Sequence, residues 1–160
     1  MSLRGLSHSG FDVEDLDRTL AFYTKVLGAK LQWRLDHNVR TPLMKLYIGD
    51  FGLSILKRAA DAPRPQIPHA IHFAYRVDPA QAEAMIEHVR ACGVAVEGPV
   101  GHLQEPENVS WFFADPDDYR LEIEAHYASG EEAAAVVERG KAERRPEMGL
   151  YGGDPKLKGV

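Results

Sequence analysis

The segment from Ala70 to Val77 reads Ala-Ile-His-Phe-Ala-Tyr-Arg-Val, and it decides how the chain is organised. Large apolar side chains alternate with a second set that includes His72 and Arg76, which is typical of a β-strand with one buried face. The segment from Leu6 to Val13, Leu-Ser-His-Ser-Gly-Phe-Asp-Val, has the same length and carries a histidine, His8, at the equivalent position. The chain therefore contains an internal repeat, and the separation of His8 and His72 sets its period at 64 residues.

Each copy of the repeat continues as a helix and three strands. In the first copy Glu14 or Asp15 can cap a helix that Gly28 ends, and the strands are predicted at Lys30–Leu35, Leu43–Ile48 and Leu53–Lys57. In the second copy Asp78-Pro79 opens a helix that Gly93 ends, and the strands are predicted at Val94–Glu97, Ser110–Ala114 and Tyr119–Ala125. The pattern predicts an α+β fold in which paired βαβββ modules form a curved mixed sheet, a half-barrel cleft with the helices outside.

The modules are expected to span about residues 1–60 and 69–128, within a single domain of residues 1–128. Residues 59–68 contain three prolines and are predicted to be an extended linker. Residues 129–160 are predicted to form a C-terminal extension, with a short helix from Glu131 to Arg139 followed by an extended arm.

Composition narrows the class of protein. The 160 residues are 44% hydrophobic and 27% charged, which is ordinary for a globular chain. A formal net charge of −5 argues against a nucleic-acid or anionic-membrane partner, and no apolar run approaches the roughly 18 residues that a membrane span needs. The single cysteine, Cys92, excludes an intrachain disulfide and a cysteine-rich zinc site. We expect a soluble cytoplasmic protein without a leader segment.

Three motifs in order resemble the vicinal oxygen chelate superfamily, which includes glyoxalase I, extradiol ring-cleaving dioxygenases, fosfomycin-resistance transferases and bleomycin-binding proteins. They are the segment from His8 to Gly28, the strand from Ile71 to Val77, and the closing hairpin Trp111-Phe-Phe-Ala-Asp-Pro-Asp-Asp-Tyr-Arg-Leu-Glu-Ile123. The family pattern has glycine where the third hairpin aspartate, Asp118, stands. The resemblance covers about residues 3 to 127 and implies the same paired-module fold.

The resemblance implies a divalent metal ion held by His8, His72 and Glu122, with Glu124 as the alternative carboxylate. Glyoxalase I-like members add a ligand from the last strand of the first module, where this chain offers only Ser54 and Leu56. The resemblance implies a three-ligand site like that of the ring-cleaving dioxygenases and the fosfomycin transferases, and the ligand set is closest to that of the extradiol dioxygenases. Fe(II) is therefore the favoured ion, and Mn(II), Zn(II), Ni(II) and Co(II) are alternatives, since two imidazoles and a carboxylate accept all of them.

The leading hypothesis is an oxidoreductase, a dioxygenase that cleaves a catechol-like aromatic diol. Ring cleavage needs an acid/base group near the metal, and the resemblance implies His102 for this role. Such enzymes also carry a tyrosine where this chain has Phe112, so Tyr119, or else Tyr47 or Tyr75, has to replace it.

Three alternatives remain at this point. A glyoxalase-like lyase or isomerase would use Glu124 or Asp12 as its base. A fosfomycin-type resistance transferase would add a nucleophile to an epoxide, but the arginine that such enzymes carry after the glutamate strand is absent from residues 125–130. A metal-free protein would bind a planar ligand between aromatic walls such as Trp33 and Trp111.

The predicted substrate-binding residues are Arg76, Phe112 and Trp111. Arg76 shares a strand face with His72, and it either steers an acidic substrate or pairs with Asp12 in a structural bridge. The resemblance further implies a homodimer, in which the tail from Ser129 onward would suit a place at the interface.

Overall fold

Helices and strands follow one another in the same order in both halves of the chain. The computed structural model describes residues 5–37, 39–63, 65–66 and 71–143, of which residues 142 and 143 are described by backbone alone. Contacts divide the chain after Gln66 into two compact units, and each unit contains a four-stranded mixed sheet.

The first unit is one βαβββ module. Its elements are β1 His8–Val13, α1 Leu16–Leu27, β2 Lys30–Leu35, β3 Leu43–Ile48 and β4 Phe51–Lys57. The strand order is β1-β4-β3-β2, with β1 and β4 parallel and the other pairs antiparallel. One sheet face carries the core residues Phe11, Met44 and Ile55, which pair across the strands, and α1 packs on the same unit. His8 and Asp12 alternate with these residues and lie on the other face.

Helix α1 begins and ends at the residues that the sequence predicts. Oδ1 of Asp15 accepts hydrogen bonds from the backbone N–H groups of Asp17 at 2.7 Å and Arg18 at 2.9 Å, which is the usual arrangement of an N-cap. Gly28 ends the helix in the left-handed region, with φ of 65°.

The second unit repeats the module and adds a helix. Its elements are β5 His72–Arg76, α2 Pro79–Ala91, β6 Glu97–Gly101, β7 Asn108–Ala114, β8 Arg120–His126 and α3 Gly130–Glu143. The strand order is β5-β8-β7-β6, with β5 and β8 parallel. Helix α2 contacts β8, and α3 packs against β6 and β7. An ion pair between Arg139 and Glu83 joins the two helices, with Nη2 of the arginine 2.7 Å from Oε1 of the glutamate.

A buried aspartate organises the turn between β7 and β8. Oδ1 of Asp115 accepts hydrogen bonds from the backbone N–H groups of Asp117 at 2.8 Å and Tyr119 at 2.9 Å. The turn leaves Phe112 opposite Glu122 in the antiparallel register, so both residues lie on the same sheet face. Asp118 has a φ of 67°, the left-handed conformation for which the family pattern uses glycine.

The predicted fold class, an α+β fold of two βαβββ modules, is confirmed. One strand lies elsewhere than predicted: β6 begins at Glu97, whereas Val94 and Val96 are buried by packing outside the ladder. The predicted helix in the C-terminal extension is longer, at Gly130–Glu143, and the arm beyond it lies outside the described residues, as does part of the linker. The limits of the single domain and the cleft between the modules stay predictions.

None of the helices in the described ranges combines the length and the apolar character that a membrane span requires.

Replacing Asp15 by alanine is expected to lower the free energy of unfolding by about 1 kcal/mol, because two N–H groups of the first helical turn lose their acceptor. The hydrogen bond from the Arg18 backbone holds the pKa of Asp15 below its usual value of 3.8, despite an opposing effect of burial. The charged carboxylate's contribution is therefore complete above pH 3.8 and is lost as the pH falls through the lower folded-state pKa.

Urea denaturation at about pH 7 and about pH 2 checks this, with replacement of the exposed Asp61 by alanine as the matched control. The gap between wild type and the Asp15 variant should narrow at the acidic pH. A gap of equal size at both pH values would contradict the capping role of the carboxylate.

Candidate metal and substrate site

His72 and Glu122 lie on the adjacent parallel strands β5 and β8, and their side chains meet. Nε2 of His72 is 2.8 Å from Oε2 of Glu122. The glutamate side chain is 7% exposed and the histidine side chain 36% exposed, so a buried carboxylate faces a partly accessible imidazole. Burying a carboxylate without a polar partner costs free energy, and the imidazole of His72 supplies that partner for Glu122.

The spacing of the pair suits two ligands of one metal ion. Two donors that each lie about 2.1 Å from an ion, at right angles, are about 3 Å apart. An imidazole nitrogen and a carboxylate oxygen also suit Mn(II), Fe(II) and Zn(II). Within the described ranges, however, no three His, Cys, Asp or Glu side chains form a group that could hold a metal ion. The structure thus brings together two of the three predicted ligands.

His8, the third predicted ligand, begins β1 in the first unit and is exposed. Its Nδ1 lies 2.9 Å from Oγ of Ser7, and this contact leaves Nε2 available for a ligand. The neighbouring Gly52 leaves room for the side chains of Lys45 and His8. Any larger residue there would place its Cβ 2.7 Å from Cε of Lys45 and 3.2 Å from Cβ of His8. The assignment of His8 as a ligand stays a prediction.

Glu124, the alternative carboxylate, is engaged by Arg76. Nε and Nη2 of Arg76 donate to Oε1 of Glu124 at 3.0 and 2.9 Å, and Nδ2 of Asn108 donates to Oε2 at 3.3 Å. Burial raises the pKa of Glu124, but the hydrogen bonds and charge of Arg76 outweigh it and hold the pKa below its usual value. Arg76 thus pairs with Glu124. The bridge to Asp12, one of the two alternatives for Arg76, stays a prediction.

Phe112 and Arg120 complete the surroundings of the His72–Glu122 pair. The ring of Phe112 is edge-on to His72, with 6.2 Å between the ring centroids, and the guanidinium carbon of Arg120 is 4.3 Å from the Phe112 centroid. Phe112 therefore lies beside the pair, and its predicted contact with the substrate stays a prediction. Sequence reasoning missed Arg120, although its alternation with Glu122 and Glu124 on one strand could have revealed it.

His102 reaches the same sheet face through a serine. Its Nε2 is 2.9 Å from Oγ of Ser110, which is fully buried and pairs in register with Glu124. His102 itself is half-buried. The structure thus places the predicted acid/base residue beside Ser110, which is two residues from Phe112 along β7.

Trp111 and Tyr119 lie on the opposite face. Trp111 pairs in register with Ile123 and is 3% exposed, and Tyr119 is 9% exposed with its ring 6.4 Å from that of Phe73. The pleat of the sheet turns each residue away from the face of its neighbours, Phe112 and Arg120. The structure does not bring Trp111 or Tyr119 to the His72–Glu122 pair, and the roles predicted for them stay untested.

Tyr75 also lies on the core face, and its hydroxyl oxygen is buried without a hydrogen-bond partner among the described residues. Burial raises the pKa of this hydroxyl, and the charge of Asp115 adds to the shift.

Replacing Tyr75 by phenylalanine should therefore raise the free energy of unfolding by about 1 kcal/mol, since a desolvated polar group is removed. Chemical denaturation checks this, with Tyr47→Phe as control. A destabilised Tyr75→Phe variant would instead indicate that the hydroxyl is satisfied.

The sequence and the fold match known proteins. A model of the Glyoxalase/Bleomycin resistance protein/Dioxygenase superfamily matches residues 5–123. Metallothiol transferase FosB of Lysinibacillus sphaericus (strain C3-41) is 27% identical over 125 residues, which cover 77% of this chain and 83% of the relative. The solved structure of fosfomycin resistance protein FosX from Mesorhizobium loti is 25% identical, with a TM-score of 0.60, and the match covers 84% of this chain and 99% of that one.

A mutant of FosX from Listeria monocytogenes, solved with Mn(II) and 1S,2S-dihydroxypropylphosphonic acid, matches with a TM-score of 0.66 at 21% identity. This match covers 81% of the present chain and 98% of the FosX chain, and at this identity it shows a common fold.

These relatives correct the predicted reaction. They are named for thiol transfer and fosfomycin resistance rather than for ring cleavage, so the prediction of a dioxygenase, an oxidoreductase, is wrong. The preference for iron, which rested on that reaction, loses its support. Among the alternatives, the relatives favour the fosfomycin-type enzyme over the lyase and the binding protein.

Proposed function

The chain belongs to the glyoxalase/bleomycin resistance protein/dioxygenase superfamily, and we propose that it is a metal-dependent enzyme of the fosfomycin-resistance type. It would open the epoxide of a small phosphonate with a thiol or water as nucleophile. The observation that carries this proposal is the pair of His72 Nε2 and buried Glu122 Oε2, 2.8 Å apart. The relatives supply the reaction class, since FosB is a metallothiol transferase and FosX a fosfomycin resistance protein.

We propose that His72 and Glu122 hold the divalent ion and that His8 is the third ligand. The pair has the donor types and the spacing for two adjacent ligands, while His8 rests on the repeat and the family resemblance. Mn(II) replaces Fe(II) as the favoured ion, because FosX from Listeria monocytogenes was solved with Mn(II). The same FosX structure holds a dihydroxypropylphosphonic acid, which supports a small phosphonate as the substrate class.

The reaction forms one bond and breaks one. The nucleophile attacks an epoxide carbon, one carbon–oxygen bond of the epoxide breaks, and the proton of the nucleophile ends on the released oxygen. A divalent ion at the site would supply Lewis-acid polarisation of the epoxide oxygen. Phe112 forms an apolar wall beside His72 and limits the access of bulk water. We assign the proton transfer to His102, since imidazole is the commonest acid/base group and this one is held by Ser110.

Two other features of the proposed enzyme come from the sequence alone. The homodimer is still a prediction, and so is the cytoplasmic location. An aromatic diol is no longer the expected substrate, because it depended on ring cleavage.

Metal binding is the first test. We expect purified protein to bind about one Mn(II) per chain, and His72→Ala and Glu122→Gln to weaken that binding by roughly a hundredfold, since each removes a ligand. Mn(II) should also raise the melting temperature of wild type but not of these variants. Electron paramagnetic resonance of free Mn(II) measures the affinity, with His88→Ala on helix α2 as control. His8→Ala tests the third ligand separately. Wild-type affinity in Glu122→Gln would sink the metal assignment.

The reaction itself is the second test. Fosfomycin is incubated with the Mn(II)-loaded protein and glutathione, L-cysteine or no thiol, and phosphorus NMR follows the conversion of the epoxide. We expect conversion that depends on Mn(II) and falls by more than about a hundredfold in His72→Ala. The thiol dependence then decides between thiol and water as nucleophile. If the protein binds Mn(II) stoichiometrically but converts no fosfomycin under any condition, the proposed reaction is wrong and the metal site survives.

A further inference from the structure

Arg120 stands directly beside the His72–Glu122 pair. It opens β8, pairs in register with His72 on β5, and lies on the same face as Glu122, two residues along the strand. On its other side it is in register with Ala114 of β7, whose side chain is only a methyl group. The long arginine side chain therefore has room to lie across the sheet towards Phe112.

The guanidinium of Arg120 is held in place by an aromatic ring. Its central carbon is 4.3 Å from the Phe112 centroid, within the range of a cation–π contact, and Phe112 in turn meets His72 edge-on. Arg120, Phe112, His72 and Glu122 thus form one connected group, called here the Arg120 cluster. An aromatic ring offers no oxygen or nitrogen acceptor, so this contact leaves the five N–H donors of the guanidinium to other partners.

Apart from Arg40, which is exposed, the other arginines of the described residues differ from Arg120 in their partners. An acidic partner within 4 Å is present for Arg18, Arg34, Arg58, Arg76, Arg90 and Arg139. Arg120 is half-buried, yet within the described ranges it makes neither a hydrogen bond nor an ion pair. A half-buried cation with unused donors beside a metal-type pair is suited to an anionic ligand.

We propose that Arg120 is the anion anchor of this site and binds the phosphonate group of the substrate. This inference rests on the proposed function and adds the residue that recognises the substrate class. The planar guanidinium can donate two parallel hydrogen bonds to phosphonate oxygens.

Arg76, the cation predicted to bind substrate, is less suited to this role. It lies on the same sheet face, but two of its N–H groups already donate to Oε1 of Glu124. Its charge is therefore compensated within the protein, and an incoming anion would have to compete with a covalently tethered carboxylate. Arg76 and Arg120 are the same residue type on the same sheet face, but only Arg76 has an ion pair with a carboxylate. Arg76 is therefore the matched control for Arg120.

The position of Arg120 also limits the size of the substrate. Strands β5 and β8 are about 4.8 Å apart, so the anchor and His72 start from adjacent backbone positions. The anionic group must then lie within a few bonds of the reacting carbons. This selects short phosphonates, in which the acid and the reactive centre are close.

The experiment measures phosphonate binding apart from turnover. Methylphosphonate is titrated calorimetrically into Mn(II)-loaded and metal-free protein, using wild type, Arg120→Gln, Arg120→Lys and Arg76→Gln. We expect Arg120→Gln to weaken binding about tenfold or more in both forms, and Arg120→Lys to weaken it less, because lysine keeps the charge but loses the planar fork. Arg76→Gln should remain within about twofold of wild type, and the Mn(II) affinity of Arg120→Gln should be unchanged.

Three outcomes would overturn the inference: no methylphosphonate binding by wild type, an affinity of Arg120→Gln within twofold of wild type, or a larger loss in Arg76→Gln. The result is separable from that of the proposed function. Loss of methylphosphonate binding in Arg120→Gln without any conversion of fosfomycin would keep the anchor and reject the reaction. Conversion of fosfomycin by wild type, together with unchanged methylphosphonate binding in Arg120→Gln, would keep the reaction and reject Arg120 as the anchor.

Discussion

A buried carboxylate against an imidazole is the interaction on which the arrangement of the second unit depends. Glu122 has a side chain that is 7% exposed, and the ionised form of such a group is tolerable only with a polar or charged partner. His72 supplies that partner from the adjacent parallel strand. The contact requires β5 to join β8 in one register, because a shift by one residue would turn either side chain to the other face. The register that pairs the first and last strands of the module is therefore the same register that brings His72 and Glu122 together.

The turn at Asp115 performs the same task on the other side of β8. By accepting two backbone hydrogen bonds, its carboxylate ends β7 and starts β8 at a fixed distance along the chain. Phe112 is thereby opposite Glu122, and Arg120 is opposite Ala114. Because the alanine side chain is small, the guanidinium of Arg120 has room to reach the Phe112 ring. The polar residues of this face owe their proximity to strand register, whereas helices α2 and α3 serve the apolar residues of the core.

Charge pairing then separates two arginines that look alike in the sequence. Arg76 and Arg120 both alternate with core residues on neighbouring strands, and both share the face of Glu122. Arg76 finds a carboxylate in Glu124 and is neutralised, while Arg120 finds only an aromatic ring. A cation on an aromatic ring keeps its charge for a ligand, and this difference, rather than residue type, is what distinguishes a structural arginine from a candidate for binding.

The sequence by itself determined the repeat, the alternation of the strands and the caps of α1, because these depend on neighbours along the chain: Asp15 and Gly28 act within a single turn of the helix. It also indicated His72 and Glu122, whose positions follow from pleat and family pattern. Tertiary structure decided which residues meet across strands. Tyr119 and Trp111 lie in the core, and Arg76 forms its ion pair with Glu124. Strand β6 begins after Val94 and Val96, because these residues are buried without strand pairing. Partner choice depends on register, and register is set by contacts between strands distant in the chain.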